Sequence, residues 1–121
     1  MSRRLLPLPI LLLFAWVIPA IAHAILLKSS LAANSVLSEP AVAISLTFNA
    51  RVDGGRSRLN LIGPDSSEHK VELGPQKSPG TLTAQLQDLK SGSYHLQWEV
   101  LTLDGHITRG RIPFRVQLPK A

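Results

Sequence analysis

Two histidines and one aspartate are the residues of this chain best suited to chemistry, and the first of them depends on where the chain is cut. Ala20-Ile21-Ala22 closes a long apolar run with the small-x-small pattern of a signal-peptidase site, so cleavage after Ala22 makes His23 the first mature residue. A terminal histidine offers its α-amine and its imidazole Nδ1 to one ion, closing a six-membered chelate ring that no internal histidine can form. Far along the chain, Asp104-Gly105-His106 adds a carboxylate and a second imidazole. His23, Asp104 and His106 together make a nitrogen-rich donor set for one metal ion. Cu(II) stands high in the Irving–Williams order and favours tetragonal nitrogen and oxygen donors, whereas Cu(I) favours sulfur. The chain has no cysteine, and its single methionine is Met1, which leaves with the leader. Zinc accepts the same side chains, but the chelating amine tilts the choice toward Cu(II).

Each of these residues also has a plainer reading. Asp-Gly between two apolar strands is a strong hairpin-turn signal, and a hairpin can equally well build the site. Ala22-His23-Ala24 is itself a small-x-small site, and a cut after Ala24 discards His23 with the leader. His95 shares a phase with Gln97 and Glu99, away from the apolar face of its segment, and so reads as solvent-facing. His69 lies in the polar stretch Ser66-Ser67-Glu68-His69-Lys70, which reads as a loop. Neither is a leading ligand.

The elements that must position these groups read as strands. Alternation of period two runs through Val42–Phe48, Arg58–Ile62 and Tyr94–Val100, and recurs at Ile112, Phe114 and Val116. Shorter strands are suggested by Val71 and Leu73, and by Leu82, Ala84 and Leu86. Tyr94 and Trp98 occupy the buried phase of the best strand and read as core. Pro113 suggests an edge position or a bulge for the last strand. No segment reads as a long helix. Short strands separated by Gly, Pro, Ser and Asn turns predict an all-β fold, an antiparallel two-sheet β-sandwich or Greek-key barrel.

Composition sets the outer bounds. Arg3 and Arg4 followed by an apolar run predict a cleaved signal peptide over residues 1–22 and export, leaving residues 23–121 as one compact domain with one core. The whole chain carries 13 basic and 8 acidic side chains, a formal charge of +5; loss of Arg3 and Arg4 lowers this to +3. No block of basic residues stands beside aromatics, so no nucleic-acid partner is expected. Stability in an oxidising compartment must come from the core, since there is no disulfide.

Taken together, these residues resemble the CopC-like periplasmic copper-resistance proteins. The likeness is carried by His23-Ala24, Leu27-Lys28-Ser29-Ser30, Leu46-Thr47-Phe48, Gly92 through Val100, Asp104-Gly105-His106, Gly110 and Phe114-Arg115-Val116, nearly the whole mature chain. It implies a periplasmic location, a cupredoxin-like or immunoglobulin-like β-barrel and a Cu(II) site built from the amine and ring of His23 with Asp104 and His106, and the chain resembles the Cu(II)-only branch because residues 23–121 hold no methionine. It further implies a monomeric, non-catalytic binder that buffers copper or passes it to a CopD-like inner-membrane transport protein. Two positions depart from the pattern: Ala50 stands where some members have an acid, and Leu31 where a proline is common. Two other functions remain open on the sequence, a metal-free immunoglobulin-like interaction module and a terminal-histidine copper oxidative enzyme.

Overall fold

The computed structural model describes residues 24–120; residues 1–23, the span of the expected signal peptide and His23, and Ala121 lie outside the described residues. Eight strands form two facing sheets. One sheet has three strands: β1 (Leu26–Ser29), β3 (Val42–Phe48) and β6 (Thr81–Leu86), with β3 in the middle. The other has five, in the order β2 (Ser35–Leu37), β8 (Ile107–Val116), β7 (Gly92–Leu101), β4 (Arg58–Ile62) and β5 (Glu68–Val71). The all-β sandwich expected from alternation is what forms, and β3 and β4 coincide with their alternating segments.

The core follows from that alternation. Ile44, Leu46 and Phe48 of β3 face Leu59, Leu96, Val100 and Phe114 of the larger sheet, all nearly fully buried. Trp98 meets Phe48 edge-on at 5.1 Å between ring centres, and Tyr94 stacks on Phe114 at 5.3 Å, so both aromatics belong to the core as expected. The Tyr94 hydroxyl donates to the Lys90 carbonyl (2.8 Å) and accepts from the Lys90 N–H (2.9 Å), which satisfies its polar end. Gly110 stands opposite Trp98 on β8, and a Cβ there would run into the indole ring. The missing side chain is what lets Trp98 lie across its partner strand.

Five details differ from the sequence expectations. β1 and β2 were not visible as strands: Leu26–Ser29 has no regular alternation, and β2 has only three residues. β2 also pairs with β8 in parallel, the one parallel pair among the described strands. Pro113 is not on an edge strand, since β8 lies between β2 and β7. Its carbonyl accepts from Asn34 N–H (2.6 Å), so its missing N–H falls on the same flank, just before β2 begins pairing at Ser35. His69 sits in β5 rather than a loop. His95 keeps its outward phase but is half-buried between Ile62 and Pro113 in register, and its Nδ1 has no hydrogen-bond partner.

Candidate metal centre

The Asp104 and His106 side chains come from the hairpin joining β7 to β8. Thr102 N–H donates to the His106 carbonyl (2.8 Å), enclosing a three-residue loop, and Gly105 N–H donates to the Thr102 carbonyl (3.0 Å). A loop of this length favours a turn followed by a residue in the left-handed region, and Gly105 adopts φ 92°. Asp-Gly therefore forms the turn. The same backbone course brings the Asp104 carboxylate to 3.9 Å from His106 Nε2, with both side chains about half exposed. The hairpin and the close approach of Asp104 to His106 are thus products of one backbone course.

A residue that the sequence reading passed over organises the pair. Thr102 is almost fully buried, bridged to Val52 across the neighbouring segment. Its hydroxyl donates to the Asp104 carboxylate and accepts from the His106 N–H (3.0 Å), so one oxygen orients both groups. The available signal was a threonine two residues before the aspartate, because Ser and Thr hydroxyls readily bond to nearby turn groups. The Asp104 carboxyl is held below its ordinary value chiefly by the Thr102 hydroxyl, which outweighs the desolvation that raises it; attraction to His106 lowers it by a lesser amount. It is a ready anionic donor at neutral pH.

The hairpin is anchored where the chain enters the sandwich. Leu103 N–H donates to the Arg51 carbonyl (3.2 Å), and Asp53 N–H donates to the Leu101 carbonyl (2.7 Å). Two residues before Arg51, Asn49 clasps the start of the described chain: Ile25 N–H donates to Asn49 Oδ1 (2.7 Å), and Asn49 N–H donates to the Ile25 carbonyl (3.0 Å). Two residues of extended chain span about 7 Å. The entry point, with Ala24 buried beside it, thus lies at the same end of the sandwich as the hairpin.

Of the proposed ligands, Asp104 and His106 stand together, and His23 lies outside the described residues. Among the described residues, no three His, Cys, Asp or Glu side chains gather in a way that could hold a metal. His95 lies seven residues before Thr102 along extended chain, roughly 23 Å away. His69 belongs to another cleft, of about 680 Å³, beside β5. There Ser67 Oγ lies 3.2 Å from His69 Nε2 but gives its single proton to Asp65 (2.6 Å). A serine so bonded has no proton left for the imidazole, which is the wrong arrangement for a nucleophile and its base. The Ser67 bonds also hold the exposed Asp65 carboxyl below its ordinary value.

Residues 26–117 match the family model described as the CopC domain. Protein YobA of Escherichia coli (strain K12) is 31% identical over 99 residues, covering 79% of this chain and 80% of its own length. The copper transport protein CutJ of Bacillus subtilis (strain 168) is 31% identical over 113 residues, 88% of this chain but 21% of that protein. Among solved structures, CopC from Methylosinus trichosporium OB3b superposes with a TM-score of 0.68 at 27% identity, covering 82% of this chain and 98% of that one.

Proposed function

The chain belongs to the CopC domain family, and from that premise we propose that it binds one Cu(II) ion in the periplasm, through the amine and imidazole of His23 with Asp104 and His106. The observation that carries this reading is the Asp104–His106 pair, oriented by the buried Thr102 hydroxyl at the end of the sandwich where the chain enters. Ala24 is buried and Ile25 is clasped by Asn49, so the described chain begins at the hairpin's end of the sandwich. A carboxylate, two imidazoles and an amine suit Cu(II), and residues 24–120 contain no sulfur for Cu(I).

The copper is cargo rather than a reaction centre, and the protein acts as a monomeric buffer or carrier, not as an enzyme. Delivery to a CopD-like membrane transport protein accords with CutJ, a copper transport protein in which a stretch like this one forms a minor part. The half-exposed ligand pair supports exchange, since a partner can reach both side chains.

The test combines two measurements on the exported protein. Intact mass is expected to show a chain beginning at His23, and titration in competition with a chelator is expected to show one Cu(II) per chain, lost in His106→Ala. A chain beginning at Ile25 eliminates the proposed chelate. Absence of tight copper binding in a chain that does begin at His23 favours a metal-free interaction module.

A further inference from the structure

The charge of this protein is concentrated on one face. Residues 24–120 carry eleven basic and eight acidic side chains. Strand register assigns each residue of the five-stranded sheet to its inner or outer side, because Leu59, Leu96, Trp98, Ile112 and Phe114 are buried and their neighbours point away. The outward positions include Arg58, Lys70, Arg109, Arg111 and Arg115, all exposed, against two acids, Glu68 and Glu99. That leaves six bases and six acids on the rest of the described molecule. The whole excess of +3 therefore sits on the outer face of one sheet.

Its layout is flat and two-dimensional. Arg58, Glu99 and Arg109 form one cross-strand row, in which Arg109 clamps Glu99 at 2.7 and 2.9 Å and neutralises it. Lys70 and Arg111 mark the two ends of the next row, and Arg115 lies further along β8. Rows of one face repeat at roughly 7 Å and strands at about 4.8 Å, so the cations spread over a surface; Arg109 and Arg111 flank an open cleft of about 410 Å³ with Asn60, Gln97 and Glu99, while Arg58, Lys70 and Arg115 stand outside it. Two exposed aliphatic residues share the face: Val36, in register with Arg115, and Ile107, two residues before Arg109. Tyr94, Trp98 and Phe114 all turn inward, and the aromatic ring left in the outward phase, the His95 imidazole, is half-buried.

The geometry points to docking of this outer sheet face on an anionic phospholipid surface. Arginine pairs with phosphate through two parallel hydrogen bonds, and scattered arginines meet scattered headgroups without requiring a pocket. Val36 and Ile107 add aliphatic side chains that can enter the interfacial region. A protein partner is disfavoured because interfaces are anchored by buried aromatics as well as arginine, and a nucleic acid because no Phe, Tyr or Trp ring is offered for base stacking. The inference is independent of copper, since Asp104 and His106 belong to the hairpin beyond the sheet.

The test is sedimentation with vesicles of phosphatidylglycerol and phosphatidylcholine (3:7), against pure phosphatidylcholine, at low salt. The same processed form carries every variant, so any remaining leader contributes equally. Association with the anionic vesicles is expected to be about 100-fold tighter, and to weaken about fivefold per arginine removed, corresponding to ~1 kcal/mol each. Arg58→Gln/Arg111→Gln/Arg115→Gln is thus expected to lose about 100-fold, while the corresponding triple Arg→Lys variant stays within about threefold. If the glutamine variant is destabilised, Arg111→Gln alone decides, with its expected fivefold loss. Equal binding to both vesicle types, an unaffected glutamine variant, or an equal loss in Lys28→Gln/Lys77→Gln/Lys90→Gln overturns the inference. So does binding to soluble polyglutamate as tightly as to the anionic vesicles, which assigns the face to an acidic protein.

Discussion

Replacing Thr102 by valine keeps the branched shape of a buried side chain and removes only its hydroxyl. Two things follow from the geometry. The His106 N–H loses its 3.0 Å acceptor, while the neighbouring Thr102 N–H to His106 carbonyl bond remains, so the hairpin still forms. One neutral hydrogen bond is worth about 1 kcal/mol net. In a domain of this size that lowers Tm by roughly 4–8 °C. The second consequence falls on the ligands. Asp104 loses the donor that orients its carboxylate and that chiefly lowers its pKa, so its titration moves up toward the ordinary value. Partners that orient metal ligands typically contribute 10–100-fold to affinity. Competition titration of Thr102→Val at neutral pH is therefore expected to show Cu(II) binding weakened by about that factor, with the Cu(II) absorption band shifted. Thr102→Ser, which retains the hydroxyl, is expected to recover most of the affinity. A variant that melts earlier but binds Cu(II) as tightly as the parent refutes the reasoning, because it reduces Thr102 to a staple of the turn. Equal losses in Thr102→Ser and Thr102→Val refute it too, since the hydroxyl would then not be the active feature.

His106→Ala is expected to abolish tight Cu(II) binding, whereas His69→Ala and His95→Ala leave it within about threefold; chelator competition on the three variants reads this, taking 1.4 kcal/mol as tenfold. Copper affinity is expected to fall as pH drops from 8 to 5, because amine and imidazole must shed protons with reference pKa values of about 7.7–8.0 and 6.5. Asp104 does not set that decline: its folded pKa lies below the ordinary value, so its contribution is present above that value and is lost only as pH falls through the lower folded one. Titrations at stepped pH check the sign, and constant affinity removes the amine and imidazole from the site. Gly110→Ala forces a methyl group against the Trp98 ring and is expected to destabilise by about 1–3 kcal/mol, with a shift in tryptophan fluorescence. A Tm equal to the parent's would mean that the indole has room to move.

The parts of the fold legible in the sequence are those where one side chain in two is buried. β3 and β4 have that pattern, and so does β7 from Tyr94 to Val100; their inward residues are the core. β1 and β2 escape such reading because they are held by neighbours rather than by a buried face of their own: β1 shifts register against β3, and β2 borrows three residues' worth of pairing from β8. Pro113 misleads for a related reason, since a missing N–H marks a strand edge only where the adjacent strand runs past it, and β2 begins one residue later. At the candidate site the donor types were legible, and the device that aims them was not. Threonine before an Asp-Gly turn says nothing by itself about which way its hydroxyl faces. Only the bridge between Thr102 and Val52, a contact across fifty residues of chain, buries that side chain beneath the turn and directs one oxygen at both Asp104 and His106. The Asp104 and His106 donors are therefore written in one short stretch of sequence, while their geometry is set by a pairing with Val52 that no local pattern records.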